Sequence, residues 1–422
     1  MIAKQRLSSV FYLILLVLAG EAVFVLPFVL QRVFRPTFLE VIDINNTEIG
    51  TCFSIYGIVA LFSYLFGGPL ADKFKPHHLM SVALILTACG GFYLASYPPL
   101  YGLFFLYGFW GFTTIFLFWA ALIKATRIWG GEKRQGMAFG FLDGGRGLVA
   151  ALIGTLGVII FAFFMDDDIS NSSLIERKTA FQQVIYWSSF FVAFTGVLVF
   201  LFMKTKNIKT ETITHQLKWS DVKALLKLPS VWLLSMIILC AYVGYKTTDL
   251  FSLYASTAMN YDDIKAAKVG AGLLYLRPLV GVVIGLLADR SRASIWLIVG
   301  FILAAVSSMI LGFGTITGGH IWLFIINTVM IATGVYACRV LYFATLEEAN
   351  IPLALTGTTV GLVSVLGYTP EIFSGPMFGV LLDQKDKVLG LQHAFLVLAL
   401  FSIIGLLASI VFLILNRKTS NP

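Results

Sequence analysis

Apolar stretches close to the length of a membrane-crossing helix recur along the chain, separated by short polar joints. A spanning helix needs roughly 20 mostly apolar residues. Used as a ruler, that length predicts twelve segments, at about 8–34, 48–71, 79–97, 99–123, 135–164, 180–203, 230–257, 266–288, 293–315, 319–345, 353–382 and 391–416. The longest polar stretch, KTKNIKTETITHQLKWSDVKALLKLP, falls between the sixth and seventh segments and divides the chain into parts of similar length. The expected organisation is an all-α integral membrane protein of twelve transmembrane helices: six in 1–203, a cytoplasmic linker at 204–229, and six in 230–422. Within the linker, a short amphipathic piece is expected from Trp219 to Leu228.

Composition agrees and removes other classes. The chain is 58% hydrophobic and 12% charged, where soluble domains carry about 25% charged residues. The first apolar run is too long for a signal-peptide core and has no small-x-small cleavage site, so it is expected to remain as a span. Cys52, Cys89, Cys240 and Cys338 all lie inside apolar segments and read as small core side chains, with no disulfide framework. His77, His78, His215, His320 and His393 lack ligand spacing, so neither metal nor cofactor is expected. The net charge of +8 collects at the ends of apolar runs, where anionic lipid headgroups are the partner, and nucleic-acid binding is not expected.

Alternate loops differ in sign. One set holds Lys73, Lys75, Lys124, Arg127, Lys133, Arg134, the 204–227 bases, Arg290 and Arg292; the other holds Asp166, Asp167 and Asp168. The positive-inside rule then puts both termini in the cytoplasm of a cell (inner or plasma) membrane protein. The loop from Glu347 to Pro352 lacks bases and is an exception.

The two parts repeat each other. GGPLADK, containing Gly68, Asp72 and Lys73, returns as GLLADR, containing Gly285, Asp289 and Arg290, each between the second and third spans of its half. In the fifth span of each half, Gly136 and Gly140 correspond to Gly357 and Gly361. On these residues the chain resembles the major facilitator superfamily of secondary transporters, over essentially its whole length. Lys75 and Arg292 depart from the family pattern, standing where a later glycine is expected. The resemblance implies two pseudo-symmetric six-helix bundles that rock about a central site. It also implies that Gly68, Asp72, Lys73, Gly285, Asp289 and Arg290 act in gating, with the carboxylates as latches at helix ends. The alternative is that these are interfacial charges that only set orientation.

Ionisable groups within the spans are costly, at least about 2.5 kcal/mol each at mid-membrane, and mark partners or wet cavities. Glu21, Arg146, Lys246, Arg277, Arg339 and Glu371 are of this kind. At about 1.5 Å per residue, Glu21, Arg146 and Arg277 lie near the midplane, where transporters bind their solutes. Asp143 precedes Arg146 by one turn and Asp249 follows Lys246 by one turn, so each base is either an intrahelical pair or a ligand group. Arg277 has no acid within a turn on its own helix and precedes Pro278, which frees a carbonyl. It is the leading substrate contact, followed by Arg146, Lys246, Tyr275 and Tyr368, with Tyr245 as a weaker candidate. Glycines 136, 140, 144, 145 and 147 favour close helix approach. DGGRG is no dinucleotide loop, because no strand precedes it.

Burial raises a carboxyl's proton affinity, so Glu21 and Glu371, with Asp143 and Asp249, are the coupling candidates. Glu371 sits among Gly367, Pro370, Gly375 and Pro376, breaks that suit either a gate helix or a packing kink. The expectation is a monomeric secondary transporter of a small polar, anionic solute, driven by protons, nearest the organic-anion, sugar-phosphate and nitrate permeases of the resembled family. The alternatives are an exporter of amphipathic, drug-like or siderophore-like compounds and, in another class, a transporter-like membrane sensor. No nucleophile, base and orienter come together, so an enzyme is not expected.

Overall fold

Proline and short polar residues decide where these apolar helices bend, and the bends carry the charged groups. The structure, a computed structural model, describes residues 2–130, 135–165, 173–203, 223, 225–316, 318–349 and 356–417, with only the backbone described at some helical positions. Among the described residues ten helices are long and apolar enough to cross a membrane: Val10–Ile42, Pro76–Leu94, Leu100–Thr126, Phe141–Phe163, Leu174–Phe202, Pro229–Thr257, Asp263–Ala288, Ala293–Gly312, Ile321–Leu341 and Lys387–Asn416. The second expected span is occupied by the 28-residue helix Asn46–Lys73. The eleventh is occupied by Thr356–Gly367 followed by Pro370–Leu382. No strand occurs among the described residues.

Among the described residues, the first, seventh, eighth and eleventh spans kink or restart where the sequence removes a backbone donor or inserts a polar group. The first continues to Ile42, eight residues past its expected end, across a kink at Phe34 (φ −112°, ψ 32°). Pro36 explains the kink, since its ring takes the helical N–H away from the carbonyl of Arg32. The seventh span passes through a tight 3₁₀ turn at Thr248–Leu250, which contains Asp249. The eighth is interrupted at Tyr275, three residues before Pro278. The eleventh restarts at Pro370, which occupies the first helical turn where it loses no hydrogen bond. Broken backbone at membrane depth survives only where protein or a wet cavity satisfies it.

Packing repeats with the sequence. The first span lies on the fifth and sixth and the third on the sixth; the seventh lies on the eleventh and twelfth and the ninth on the twelfth. Small residues allow the closest approaches: a Cβ on Gly334 would sit 2.5 Å from the carbonyl oxygen of Gly300, between the tenth and ninth spans. By packing, the chain divides into Met1–Lys209 with Asp249–Pro278, and Thr210–Thr248 with Leu279–Pro422.

Helix ends are capped as their residues dictate. Asn45 with Glu48 and Ser173 with Glu176 form reciprocal capping boxes. Asp262 caps the helix beginning at Asp263; burial pushes its carboxyl up, but the Lys265 backbone N–H and ammonium outweigh that and hold it below the usual carboxylate range. The baseless loop has its own reason: Glu348 accepts from the Ser294 backbone N–H (3.0 Å) and hydroxyl (2.5 Å), capping the ninth span. At the corresponding end of the first half a base does the work, as Lys124 Nζ donates to the carbonyl of Ala71 at 2.7 Å.

Of the expected latch residues, Lys73 and Arg290 are exposed and Gly285 has open space where a Cβ would stand. Gly68 and the side chains of Asp72 and Asp289 lie outside the described residues, as do Asp166–Asp168, Trp219 and Gly136, Gly140, Gly357 and Gly361 beyond their helical backbone.

Candidate functional site

Among the described residues, each unit holds a cluster of buried charge built on a glutamate. In the first unit, Glu21 is 3% exposed on the first span. Its Oε2 accepts from Arg146 Nε of the fifth span at 3.1 Å, and its Oε1 lies 4.0 Å from Arg277 Nη1 of the eighth. Arg277 also donates through Nη2 to Asp143 Oδ1 at 3.2 Å. Two guanidiniums from different spans therefore converge on one carboxylate. Neighbouring residues make room for them: a Cβ on Gly20 would meet Arg146 Cδ at 3.2 Å, and one on Gly147 would meet Arg277 Cγ at 3.2 Å. Arg146 also lies beside two aromatic rings that touch each other edge-on, Phe24 at 5.3 Å and Trp119 at 5.5 Å from its Cζ. Close by in sequence, the Tyr275 hydroxyl meets Thr155 Oγ1 at 3.0 Å.

Exposure within this cluster is uneven. The side chain of Asp143 is 49% exposed, against 4% for Glu21 and 6% for Arg277. The exposed member of the network is thus an acid, while its bases are covered. Buried charges persist only when paired and hydrogen-bonded, which this arrangement achieves with two acids for two bases.

In the second unit, Glu371 is the hub. Lys246 Nζ donates to its Oε1 at 2.9 Å and the Tyr242 hydroxyl to its Oε2 at 2.6 Å. Glu371 stands in the first turn of the helix that restarts at Pro370, where the helix dipole favours an anion. Around it stand four tyrosines, Tyr242, Tyr245 and Tyr368 half-buried and Tyr342 buried. Tyr242 meets Tyr368 edge-on at 5.0 Å, Tyr368 and Tyr342 share a hydroxyl contact of 3.2 Å, and the Arg339 guanidinium lies over Tyr245 at 3.6 Å.

The sequence places these residues correctly in the spans but allows the wrong partners. The strong contacts run between spans: Asp143 joins Arg277 instead of serving Arg146, whose ion pair is with Glu21, and Asp249 joins Arg32 at 2.5 Å while Lys246 takes Glu371. Asp249 and Tyr275 lie in the first unit, and Tyr368 joins the second cluster. Among the glycines, Gly145 packs against Val17, Gly147 against Arg277 and Pro278, and Gly144 faces open space. Arg32, Arg35 and Tyr242 are the additions. Arg32 and Arg35 are each 4% exposed, and Arg35 donates twice to Asn46 Oδ1 at 3.0 and 3.2 Å. The signal for Arg32 is its position four residues before Pro36; for Tyr242, it is its place one turn before Lys246. Among the described residues, no group of His, Cys, Asp and Glu has the makings of a metal site.

Comparison with known proteins agrees with this architecture. The family description Major Facilitator Superfamily matches residues 10–375. The chain is 28% identical over 370 residues to the inner membrane protein YqcE of Escherichia coli (strain K12), covering 83% of this chain and 82% of that one. It is 25% identical over 406 residues to the inner membrane protein YihN of the same organism, covering 94% and 93%. Among solved structures, a bacterial homologue of the human lysosomal transporter Spinster, in an inward-facing and unoccupied conformation, matches with a TM-score of 0.74 at 15% identity, covering 96% of this chain and 98% of that one.

Proposed function

As a member of the Major Facilitator Superfamily, to which this chain belongs, the protein is a multi-pass membrane transporter and not an enzyme, and we propose that its solute is small, polar and anionic. The observation that carries this reading is the meeting of Arg146 and Arg277 on one buried carboxylate. A planar fork that stays charged at all accessible pH suits a carboxylate, phosphate or nitrate group. Asp143 is the exposed member, so an arriving anion takes its place on Arg277 first. The chain's own carboxylates then act as occupants that the solute replaces, which keeps the arginines paired at every stage.

In this reading the protein works as a monomer by alternating access, with both termini cytoplasmic and protons as the coupling ion. Protons are taken by the second cluster. It is made of lysine, glutamate and tyrosine, side-chain types that can exchange a proton, whereas a guanidinium stays charged. The placement near organic-anion, sugar-phosphate and nitrate permeases follows from the bases in the first cluster.

A thermal-shift panel of carboxylates, phosphate, nitrate and neutral analogues tests the charge class, because a ligand stabilises in proportion to its occupancy. Whichever anion stabilises the parent should lose about a hundredfold in affinity with Arg277→Ala, and about tenfold with Arg277→Lys, which keeps the charge but loses the fork. Asp143→Asn should tighten the same anion by removing its competitor. The reading fails if neutral or cationic solutes bind well and Arg277→Ala leaves them unaffected. That outcome would favour export of amphipathic compounds, a reading supported by Phe24 and Trp119 around Arg146 and by the tyrosines of the second cluster.

A further inference from the structure

Side chains of neighbouring helices normally fill the seams between them. Between the third span, Pro76–Leu94, and the sixth, Leu174–Phe202, a seam of the first unit is open: a groove of about 420 Å³ is lined by Phe92, Gln183, Tyr186, Trp187 and Phe190. Its rings hold one another in place, since Phe92 meets Phe190 edge-on at 5.1 Å and Tyr186 at 6.3 Å. Trp187 and Phe190 are 57% and 59% exposed, so the groove opens to the lipid side of the bundle. Gln183 is the amide in this lining, and an amide at the edge of hydrocarbon is costly unless it is bonded. Its neighbour Gln182 meets that need by donating from Nε2 to the carbonyl of Ala95 at 2.8 Å. Gln183 makes no hydrogen bond to the protein among the described residues, and neither does the Tyr186 hydroxyl.

The turn that follows the third span builds a charged rim above this groove. Tyr97 takes a left-handed backbone there (φ 51°), which a side chain of its size seldom adopts. Its hydroxyl donates to the carbonyl of Lys178 at 2.6 Å, and with the Gln182 bond this pins the turn to the sixth span. The Lys178 ammonium lies 5.9 Å from the centre of the Tyr97 ring, and no described acid pairs with it. Burial pushes the Tyr97 phenol well above its usual range and the Tyr186 phenol adds to the shift, so rim and groove lie within electrostatic reach of each other.

Chemistry is thus ordered along the sixth span. An ammonium stands at 178, an amide donor at 183 about 7.5 Å further along, and rings at 186, 187 and 190 over the next 10.5 Å or so, at about 1.5 Å per residue. A phospholipid carries the complementary groups in the same order: phosphate, ester carbonyl, acyl chain. A small solute would leave the rings uncovered, and an uncharged lipid would leave Lys178 without its anion. We propose that this groove binds one anionic phospholipid, its phosphate on Lys178, an ester carbonyl accepting from the Gln183 amide, and one acyl chain along Phe92, Tyr186, Trp187 and Phe190. Aromatic walls have few torsions to lose on binding, which favours a retained lipid over a passing one. The lipid joins the third and sixth spans at this end of the unit; with the termini cytoplasmic, it belongs to the outer leaflet. The site does not depend on which solute is carried.

The test uses the full chain, purified in mild detergent and stripped of lipid. It is titrated with dioleoyl phosphatidylglycerol, dioleoyl phosphatidylcholine or inorganic phosphate, and bound molecules are counted by native mass spectrometry. Phosphatidylglycerol should bind the parent about tenfold more tightly than phosphatidylcholine, with a preference that shrinks in high salt. Lys178→Gln should abolish that preference by weakening phosphatidylglycerol alone, and Lys178→Arg should retain it, which separates lost charge from lost fold. Gln183→Leu and Phe190→Ala should each weaken both lipids by about threefold or more, since they touch the part the two lipids share. Thermal unfolding gives a second readout: phosphatidylglycerol should stabilise the parent and Lys178→Arg more than it stabilises Lys178→Gln. Equal binding of the two lipids by the parent, or a preference that survives Lys178→Gln, overturns the proposal. Displacement of the lipid by inorganic phosphate alone would reduce the site to Lys178 and overturns it too, as would tighter binding of dodecyltrimethylammonium, which would assign the groove to an amphipathic cation.

Discussion

In the first unit two guanidiniums share Glu21, and one of them also reaches a half-exposed aspartate; in the second a lysine and a phenol share Glu371. Both clusters are hubs built on a glutamate, and both sit beside an interrupted helix, at Tyr275 and at Pro370. They differ in what can change charge. The first is built on guanidiniums, a side-chain type that stays charged in proteins. The second is built from an amine, a carboxyl and a phenol, side-chain types that can exchange a proton. The two glutamate hubs thus differ in the kind of cation they hold, guanidinium in one and ammonium in the other.

The comparison is sharpened most by removing one partner at a time. Lys246→Met leaves Glu371 buried without its cation and should cost about 3–5 kcal/mol, whereas Lys246→Met with Glu371→Leu should recover most of that loss, because a pair replaced by apolar groups leaves no stranded charge. Asp143→Asn should cost under about 1 kcal/mol, since a half-exposed partner leaves no fully buried charge stranded. Thermal unfolding in detergent measures all three. Similar losses for Lys246→Met and Asp143→Asn would show that the two clusters do not differ in burial as described.

Next in size is the effect on coupling. One proton per solute lets a gradient of one pH unit sustain about a tenfold accumulation, or about 1.4 kcal/mol. Glu371→Gln should abolish that accumulation in vesicles while solute exchange continues. Glu21→Gln should instead alter affinity for the anion and retain the response to pH. If Glu21→Gln uncouples and Glu371→Gln does not, the roles of the two clusters are reversed.

How much of this was legible in the sequence depends on the kind of contact. Spans and the internal repeat are written in local order, so apolar length and the paired GGPLADK and GLLADR strings reveal them. Ion pairs depend on which face of one helix meets which neighbour. Asp143 and Arg146 are three apart and suggest a pair on their own helix, but their strongest contacts lie on the eighth and first spans. Arg32 was hidden for another reason: it stands near the end of an apolar run and looks interfacial, until Pro36 is seen to kink the helix without ending it. Glu348 shows the same limit, as an apparent breach of the loop charge pattern that proves to cap Ser294.

The smallest effect separates the hydroxyls of the second cluster. Tyr242 donates to a carboxylate at 2.6 Å, while the hydroxyls of Tyr368 and Tyr342 meet each other at 3.2 Å. A hydrogen bond to a charged acceptor is shorter and stronger than one between neutral groups, and bonds between membrane helices average about 0.6 kcal/mol. Tyr242→Phe should therefore cost about 1 kcal/mol and Tyr368→Phe about 0.5 kcal/mol, with little change in packing because both rings remain. Only Tyr242→Phe should also shift the pH at which transport is half-maximal, since it alone removes a donor from Glu371. Measuring transport against pH for both variants decides the matter: a shift with Tyr368→Phe and none with Tyr242→Phe would move the proton-responsive group away from Glu371 and towards the outer tyrosines.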